Sequence, residues 1–294
     1  MKSGFVSIIG RPNVGKSTLL NSIMKRKIAI VSNKPQTTRN NIQGIYNEEG
    51  YQIIFVDTPG IHKPKTKLGK ILNSQAYYSI EDVDLVLMLV DVTEKIGTGD
   101  LFVIEKLKSI DKPVFLLLNK VDIIEKPKIL EKINQYKDLY DFCEIIPISA
   151  LKNDNIDILI KEIKKHVKDP IKYYEDEHIT DKTKEFLIAE YVREKILDLT
   201  NEEVPHAVTC LVETFSENNF IAEIDVLIIV ERESLKKIII GKQGSMIKEI
   251  GIRSRCDIEQ LLQKKVFLRL FVKVVSKWRD KDKYLSEFGF KEIC

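Results

Sequence analysis

The sequence predicts an α/β domain with a mostly parallel sheet and flanking helices, followed by a smaller α+β domain. Up to residue 168, short apolar runs alternate with helical stretches, which is the pattern of a parallel sheet covered by helices on both faces. Residues 168–177 then lack periodicity and carry a proline and clustered charges, which is typical of a linker. We therefore expect domains at 1–169 and 181–294, joined by a linker at 170–180.

The composition is that of a globular chain, since 44% of its 294 residues are hydrophobic and 31% are charged. Its apolar runs are too short to cross a bilayer, and the first three residues lead directly into a predicted strand, so we expect neither a membrane span nor a signal peptide. The four cysteines lack the paired spacing of zinc ligands and fit a reducing compartment. These features predict a cytoplasmic protein, which we expect to be a monomer.

The apolar runs of the first domain predict six strands, at residues 5–9, 43–47, 51–57, 85–91, 114–119 and 145–149. Helices are predicted to begin near Lys16, Leu68, Asp100, Lys126 and Asn155. In the second domain, Thr180 or Asp181 is predicted to cap the first helix. The remaining elements are predicted as strands at 207–214, 221–231 and 266–274 and as helices at 235–240 and 245–263.

The first predicted strand ends in the run GRPNVGKS, residues 10–17. Such a strand–loop–helix unit wraps backbone N–H groups around a phosphate chain, because glycines leave room for close approach. Lys16 is placed to reach the β- and γ-phosphates, and the Ser17 hydroxyl is placed to ligate Mg²⁺. The alternative is a plain glycine turn between strand and helix. We expect a nucleoside triphosphate here, contacted by Gly10, Arg11, Pro12, Asn13, Val14, Gly15, Lys16, Ser17 and Thr18.

Two motifs, at the ends of the predicted strands 114–119 and 145–149, are expected to recognise the base of the nucleotide. Asp122, in the run NKVD, offers a carboxylate that accepts the N1–H and the 2-amino group of guanine. Adenine has neither donor, and a buried polar group without a partner costs about 1–3 kcal/mol, more when it is charged. Asn119 is expected to bond the base and to tie this loop to the phosphate loop. In the run SAL, the Ala150 N–H is expected to point at O6 of guanine, although either motif alone also fits a helix start. We expect GTP and GDP to contact Asn119, Lys120, Asp122, Ser149, Ala150 and Leu151.

The run DTPG ends the third predicted strand. Asp57 is expected to hold Mg²⁺ through water, and the N–H of Gly60 is expected to approach the γ-phosphate. Thr58 and Pro59, which lie between these two residues, are included among the nucleotide contacts.

Residues 34–40 are polar and aperiodic, which predicts a mobile loop that supplies one threonine hydroxyl to Mg²⁺. We favour Thr38 over Thr37 for this role, so the predicted metal ligands are Ser17, Thr38 and Asp57. A loop held only through the γ-phosphate and Mg²⁺ is released on hydrolysis, which makes a switch.

The ordered set GRPNVGKS, TTR, DTPG, NKVD and SAL resembles the translation-factor class of GTPases. In many GTPases a glutamine follows the third of these motifs and orients the attacking water, but Ile61 stands there in this chain, so we expect slow hydrolysis. Asn13 matches a position that helps related GTPases bind K⁺ in place of an arginine finger; the alternative is that it only shapes the loop. The resemblance implies a catalytic set of Lys16, Thr38, Gly60 and Asn13.

In the second domain, a glycine–x–x–glycine turn joins two helical segments. In KH domains this turn clamps the sugar–phosphate backbone of about four single-stranded nucleotides. The alternative is a helix C-cap and turn. Residues 241–294 contain 13 Lys and Arg against 7 Asp and Glu, a net charge of +6 that favours an anionic partner. The predicted RNA contacts are Ile240, Gly241, Lys242, Gln243, Gly244, Ser245, Ile247, Lys248 and Arg253.

The order helix–strand–strand–helix–turn–helix–strand resembles the bacterial-type (type II) KH fold. Trp278 is expected either to stack on a base or to pack in the core, and His206 is expected to be structural rather than catalytic. The basic residues that would extend the phosphate-binding surface are Arg255, Lys264, Lys265, Lys273, Lys277 and Arg279.

A GTPase domain followed by one KH domain resembles a family of bacterial GTPases that act in assembly of the small ribosomal subunit. The resemblance implies binding to the 3′ end of small-subunit ribosomal RNA, contact with the 30S subunit and peripheral association with the cell membrane. The residues alone indicate a GTP switch that binds single-stranded nucleic acid. Three alternatives remain open: a P-loop ATPase or kinase, a GTPase that works at membranes, and an RNA-binding module with a degenerate nucleotide site.

Overall fold

The computed structural model describes residues 1–34, 36–61, 64, 66–201 and 203–290. Pro35, in the loop predicted at 34–40, and residues 291–294, in the predicted second domain, lie outside the described residues. Within the described part, the strands of the first domain are β1 (Lys2–Ile9), β2 (Ile42–Glu48), β3 (Tyr51–Asp57), β4 (Leu85–Asp91), β5 (Val114–Asn119) and β6 (Glu144–Pro147). The helices of this domain are α1 (Lys16–Met24), α2 (Lys67–Glu81), α3 (Thr98–Leu107), α4 (Lys126–Tyr136) and α5 (Ile156–Ile163).

These strands form a sheet of order β2-β3-β1-β4-β5-β6, in which β2 alone among the described strands runs antiparallel to its neighbour. The predicted α/β class is therefore confirmed. Strand β4 shows why its sequence is an unbroken apolar run. Leu85, Leu87 and Leu89 pack beneath α1 and α5, whereas Val86 and Met88 pack beneath α2 and α3 on the other face.

The second domain begins with α6 (Lys184–Leu199) and the short helix α7 (Val204–Ala207). Its described strands, β7 (Thr209–Glu217), β8 (Ile221–Val230) and β9 (Lys265–Val274), form a sheet of that order. Strands β7 and β8 are antiparallel, and β9 is parallel to β8. The helices after β8 are α8 (Glu233–Ile240), α9 (Ser245–Leu262) and α10 (Asp282–Glu287). The order agrees with the expected KH-type fold, while α7 and α10 were not predicted.

The predicted cap of the first helix in this domain is wrong. The hydroxyl of Thr183, not of Thr180 or the carboxylate of Asp181, accepts from the Phe186 N–H at 3.3 Å and caps α6. The two predicted residues pair with the exposed edge of β2 instead. Thr180 forms an antiparallel bridge with Gly44, and the carboxylate of Asp181 accepts the Gln43 N–H at 2.8 Å.

The segment predicted as a linker lies along the first domain. Asp169 forms an antiparallel bridge with Ser3 of β1, and the Ile179 carbonyl accepts the Ile45 N–H of β2 at 2.9 Å. Between these points the side-chain oxygen of Gln52 accepts the N–H groups of residues 173 and 174 at 2.8 and 2.9 Å. The segment is therefore bonded to the sheet at both ends and in its middle, and the boundaries at 169 and 181 stay a prediction.

An apolar cluster joins α2 of the first domain to the end of the second domain. Its members are all buried: Leu68, Ile71, Leu72, Ile229, Val275, Trp278, Leu285, Phe288 and Phe290. Trp278 is 0% exposed, and its indole N–H donates to the Ala207 carbonyl at 3.1 Å. The core alternative for this tryptophan is thus confirmed, and the expectation that it stacks on a base is wrong because it has no accessible face.

No helix among the described residues is both long and apolar enough to cross a membrane.

Replacing Leu72 by alanine tests the joint cluster. The side chain is fully buried, so its loss should lower the free energy of unfolding by about 2–5 kcal/mol. Chemical denaturation followed by the fluorescence of Trp278, which lies in the same cluster, measures this change. Leu130→Ala, on the 64% exposed leucine of α4, is the matched control and should change stability by less than about 0.5 kcal/mol. Equal effects of the two variants would contradict the packing.

Candidate functional site

A cavity opens at the edge of the first sheet where the parallel strands end. Its lining comes from the loop between β1 and α1, the segment between α1 and β2, and the loops after β3, β5 and β6. Ligands bind at this edge in α/β folds because the carboxyl ends of parallel strands meet there. The lining residues are Pro12, Asn13, Gly15, Lys16, Ser17, Thr18, Ile30, Val31, Ser32, Asn33, Gln36, Thr37, Thr38, Gly60, Asn119, Lys120, Asp122, Ile123, Ser149 and Leu151.

The loop between β1 and α1 is closely packed. Gly10 and Gly15 have φ angles of 146° and 102°, and a Cβ at Gly15 would lie 2.3 Å from the Asn119 side-chain nitrogen. Glycine is therefore required here by packing against the base loop as well as by backbone conformation. Helix α1 begins at Lys16, so its first N–H groups face the cavity as an anion site requires.

The ammonium of Lys16 is held by the loop itself. It is 6% exposed and donates to the carbonyls of Gly10 and Arg11 at 3.2 and 3.0 Å. Burial lowers the pKa of Lys16 to about 8, and the Asp57 carboxylate opposes this shift. A cation with so little water around it gains most when a phosphate chain enters the loop.

Oxygen atoms converge beside this lysine. The Ser17 hydroxyl lies 2.8 Å from the Thr38 hydroxyl and donates to one oxygen of Asp57 at 2.6 Å. The second oxygen, Oδ1, is buried and has no hydrogen-bond partner among the described residues. Burial raises the pKa of Asp57 to about 6. Hydroxyl and carboxylate oxygens are the ligands that Mg²⁺ prefers, so the donor set and the unpaired oxygen fit this ion.

Of the two threonines left open by the sequence, Thr38 is the one that reaches this cluster. The hydroxyl of Thr37 instead donates to the Lys34 carbonyl at 2.6 Å within its own loop. In the described part of the chain, no group of three or more His, Cys, Asp and Glu side chains forms another metal site.

Asn119 ties the base loop to the phosphate loop, as expected. Its side-chain N–H donates to the Val14 carbonyl at 2.8 Å, and its oxygen accepts the Ala150 N–H at 3.0 Å. The Ala150 N–H, expected to point at O6 of guanine, thus has the Asn119 oxygen as its partner in this structure, and its contact with the base stays a prediction. One oxygen of Asp122 accepts from the Ser149 hydroxyl at 2.6 Å, which orients the carboxylate at the cavity.

Some predicted contacts lie behind the cavity lining rather than in it. The Thr58 hydroxyl donates to the Ile8 carbonyl at 2.9 Å, and Gly10, Val14, Asp57, Pro59 and Ala150 are also outside the lining. The guanidinium of Arg11 turns away to the carboxylates of Glu94 and Asp100, at 2.7 and 2.9 Å. Ile61 is 1% exposed in the core, where it has no polar group to orient a water.

Sequence reasoning missed Asp91. This residue ends β4, and its carboxylate pairs with the Lys120 ammonium, which also donates to the Asn13 carbonyl at 3.1 Å. The sequence could have indicated this residue, because β4 and β5 were both predicted and neighbouring parallel strands end at the same edge of a sheet. Asp91, at the end of β4, is therefore expected beside Asn119 and Lys120 at the end of β5. Residues 30–33 and Ile123 were missed because no local pattern marks them.

Arg39, the arginine of the TTR run, has a role that the sequence did not indicate. Arg39 is 1% exposed, and its guanidinium contacts the second domain, where it donates to the carbonyls of Val208, Pro205 and His206 at 2.6, 2.9 and 3.3 Å. Burial, and next the charge of Arg193, lowers the pKa of Arg39 to about 9. Because the intervening Ala207 carbonyl accepts from Trp278, all four carbonyls from 205 to 208 have donors.

Further contacts with the second domain hold the segment between α1 and β2. The buried guanidinium of Arg193, on α6, donates to the Thr37 carbonyl. Nearer α1, the Lys27 ammonium pairs with Glu194 and with Asp257, the latter at 2.6 Å, and Glu194 also accepts the Val31 N–H at 3.0 Å. The predicted switch loop is thus bonded to α6 and α7, and the segment just before it is bonded to α6 and α9.

The second candidate site is the turn between α8 and α9. Gly241 and Gly244 have φ angles of 73° and 79°, and a Cβ at Gly241 would lie 2.7 Å from the Met246 Cβ, whereas Gly244 faces open space. Lys242, Gln243, Ser245, Lys248 and Arg253 are exposed, and Ile240 and Ile247 are half-buried. Arg253 is paired with Glu249 at 2.6 Å.

A groove runs from this turn between α9 and β9. Its lining contains two of the predicted RNA contacts, Ile247 and Lys248, and Arg255 of the predicted basic extension. The other lining residues were missed because the sequence does not show which strand lies beside α9. The lining residues are Ile247, Lys248, Gly251, Ile252, Arg255, Val266, Phe267, Leu268 and Leu270.

Comparison with known proteins gives the same division. A family described as "50S ribosome-binding GTPase" matches residues 5–120, and the KH domain family matches residues 203–279. Fold and sites together define a P-loop GTPase that carries a C-terminal KH domain.

Whole-chain relatives identify the family. The chain is 52% identical over 293 residues to the GTPase Era of several Clostridium botulinum strains, covering 99% of both sequences. An Aquifex aeolicus Era variant bound to GDP·AlF4⁻ is 41% identical with a TM-score of 0.95, and covers 99% of each chain. Era in complex with MgGDPNP and nucleotides 1506–1542 of 16S ribosomal RNA is 40% identical with a TM-score of 0.92, also over 99% of each chain. The chain belongs to the Era family of GTPases.

Replacing Asp122 by asparagine tests the base contact. The amide no longer accepts both guanine donors, so the affinity for GDP, measured by calorimetry, should fall about 100-fold or more. The affinity for XDP should rise, because xanthine carries an acceptor at C2 to which the amide N–H can donate. The exposed Asp141→Asn is the matched control and should bind GDP as the unmodified chain does. An unchanged preference for guanine in Asp122→Asn would contradict the assignment.

Proposed function

We propose that this chain is a GTP-hydrolysing switch that binds the 3′ end region of small-subunit ribosomal RNA and assists maturation of the 30S subunit. The observation that carries the proposal is the position of Arg39, whose guanidinium donates to the carbonyls of Pro205, His206 and Val208. We call these three carbonyls the Arg39 seat. One residue from the predicted Mg²⁺ ligand Thr38, this guanidinium is buried in the domain that holds the RNA-binding turn. A solved relative that holds both MgGDPNP and 16S ribosomal RNA supports the pairing of the two ligands.

The nucleotide is held by groups that the structure brings to one cavity. Lys16 and the N–H groups at the start of α1 bind the phosphates, and Asp122 reads guanine. Ser17, Thr38 and Asp57 would hold Mg²⁺, which neutralises charge on the phosphates when it is bound. Positioning and charge stabilisation supply the catalysis, since phosphoryl transfer needs little covalent chemistry from the protein.

Hydrolysis by the chain alone is expected to be slow. Ile61 is buried at the position where other GTPases orient the attacking water, which leaves the Gly60 N–H and Lys16 to act on the γ-phosphate. We further propose K⁺ as an added charge near Asn13, whose side-chain N–H donates to the Asn33 carbonyl at 2.8 Å. Asn13 lines the cavity, and we assign its side-chain oxygen as the K⁺ ligand.

Coupling between GTP and RNA follows from the neighbouring positions of Thr38 and Arg39. While Thr38 is tied to Mg²⁺ and the γ-phosphate, Arg39 is held at its carbonyl seat, and α7 is fixed relative to the cavity. Hydrolysis releases Thr38, so the seat must hold the loop without help. The triphosphate therefore favours one arrangement of the KH domain, which we assign as the RNA-binding one.

The coupling is tested with the 3′-terminal sequence of 16S ribosomal RNA and a scrambled control RNA. The full chain should bind the 3′ sequence more tightly with a GTP analogue than with GDP, measured by fluorescence anisotropy. Arg39→Lys should reduce that difference at least severalfold, because an ammonium cannot serve three carbonyls in a planar fork. Exposed Arg26→Lys is the matched control. Equal affinity for both RNAs would overturn the proposed function, and full coupling in Arg39→Lys would overturn the role of the seat.

The K⁺ site is tested by turnover. GTP hydrolysis should be severalfold faster in KCl than in NaCl at equal ionic strength, and Asn13→Ala should narrow the gap by removing a ligand. Phosphate release measured under both salts decides the point. Equal turnover of the unmodified chain in the two salts would count against K⁺.

Cytoplasmic location, a monomeric state and peripheral contact with the inner face of the cell membrane remain proposals. The positive charge of residues 241–294 supports an anionic partner, and RNA uses the same surface that anionic lipid would use.

A further inference from the structure

Strand β9 carries a row of five exposed side chains, four of which lie outside the groove lining. It is the edge of the described three-stranded sheet, and its residues alternate between the helix side and the outer face. The outer face carries two aromatic and three basic side chains, all exposed: Lys265, Phe267, Arg269, Phe271 and Lys273. We call these five residues the β9 stripe.

The centre of the β9 stripe is held in a fixed orientation. The guanidinium of Arg269 bonds both oxygens of Asp225, on the neighbouring strand, at 2.5 and 2.9 Å. Its central carbon lies 5.5 Å from the centroid of the Phe267 ring. Because alternate residues of a strand are about 6.7 Å apart, Phe267, Arg269 and Phe271 present three planar groups at regular intervals.

Exposed aromatic rings on an edge strand favour self-association unless they have a partner. Phe267 and Phe271 are 51% and 47% exposed, which is unusual for phenylalanine on a sheet. Lys265 and Lys273 flank them, and the acidic groups on this face are Asp225, which is paired with Arg269, and Glu223 opposite Phe267. This arrangement suits unpaired nucleotides, because their bases can stack on the planar groups and their anionic phosphates can bind the flanking lysines.

The β9 stripe also continues the groove. Phe267 lines the groove at its edge, whereas Phe271 lies outside it. A turn of this kind clamps about four nucleotides, and the relative solved with RNA holds nucleotides 1506–1542, which is far longer. An RNA strand that leaves the groove across the edge of β9 would therefore contact the β9 stripe.

We propose that the β9 stripe is a second RNA-binding surface, on which unpaired nucleotides that flank those in the groove stack against Phe267, Arg269 and Phe271. The assignment rests on the proposed RNA binding. It differs from the groove in relying on aromatic planes and not on the glycine turn.

The test uses the full chain with a GTP analogue and two RNAs. One is a tetranucleotide of groove length, and the other is the same core extended on both sides by unpaired nucleotides. Phe271→Leu keeps an apolar side chain but removes the aromatic plane, so it should weaken the longer RNA at least about fivefold and leave the tetranucleotide unchanged. Phe271→Trp should bind the longer RNA as well as the unmodified chain does. Phe220→Ala, on an 83% exposed phenylalanine outside the stripe, is the matched control.

A separate variant distinguishes the stripe from the groove. Gly244→Asp places a negative side chain in the glycine turn and should weaken both RNAs. If Gly244→Asp leaves both affinities unchanged, the proposed RNA binding at the turn fails. If it weakens both while Phe271→Leu weakens neither, only the stripe fails. Equal loss of both RNAs in Phe271→Leu would also overturn the stripe, because Phe271 would then act on the groove itself.

Discussion

The buried guanidinium of Arg39 joins the two domains of this protein. Isolating a guanidinium from water is costly unless its N–H groups find acceptors, and Arg39 finds three carbonyls around α7. Because these acceptors belong to the second domain, that domain helps to hold the loop between α1 and β2 in place. The apolar cluster around Trp278 buries the other side of the same contact, so the joint is both polar and apolar.

The nucleotide site depends on that position. Thr38 reaches Ser17 and Asp57 only with its loop in place, and the loop is held at Arg39, at Thr37 through Arg193, and at Val31 through Glu194. Lys16 and Asp57 are both buried, which moves their pKa values in opposite directions and leaves each short of compensating charge. A bound triphosphate supplies negative charge beside Lys16, and Mg²⁺ would supply positive charge beside Asp57, so ligand and loop stabilise one another.

The two faces of β9 carry different side chains. The residues turned towards α9 line the groove together with Phe267, while the outer residues present planar and cationic groups. An edge strand can serve both surfaces because no further described strand covers it. Groove and stripe are therefore distinct in chemistry although they share a strand.

The sequence by itself determined the strands at 51–57, 85–91 and 114–119, and it placed the phosphate, metal and base motifs at one edge of the sheet. It could do so because apolar runs mark buried strands and parallel strands end together. Only the tertiary structure decided that Asn119 takes the Ala150 N–H, that Thr183 caps α6, that β9 lines the groove and that Arg39 enters the second domain. Each of these depends on which hydrogen-bond partner or packing neighbour is nearest in space, and for Arg39 that partner lies more than 160 residues away in the chain. Local pattern carries no information about such pairs.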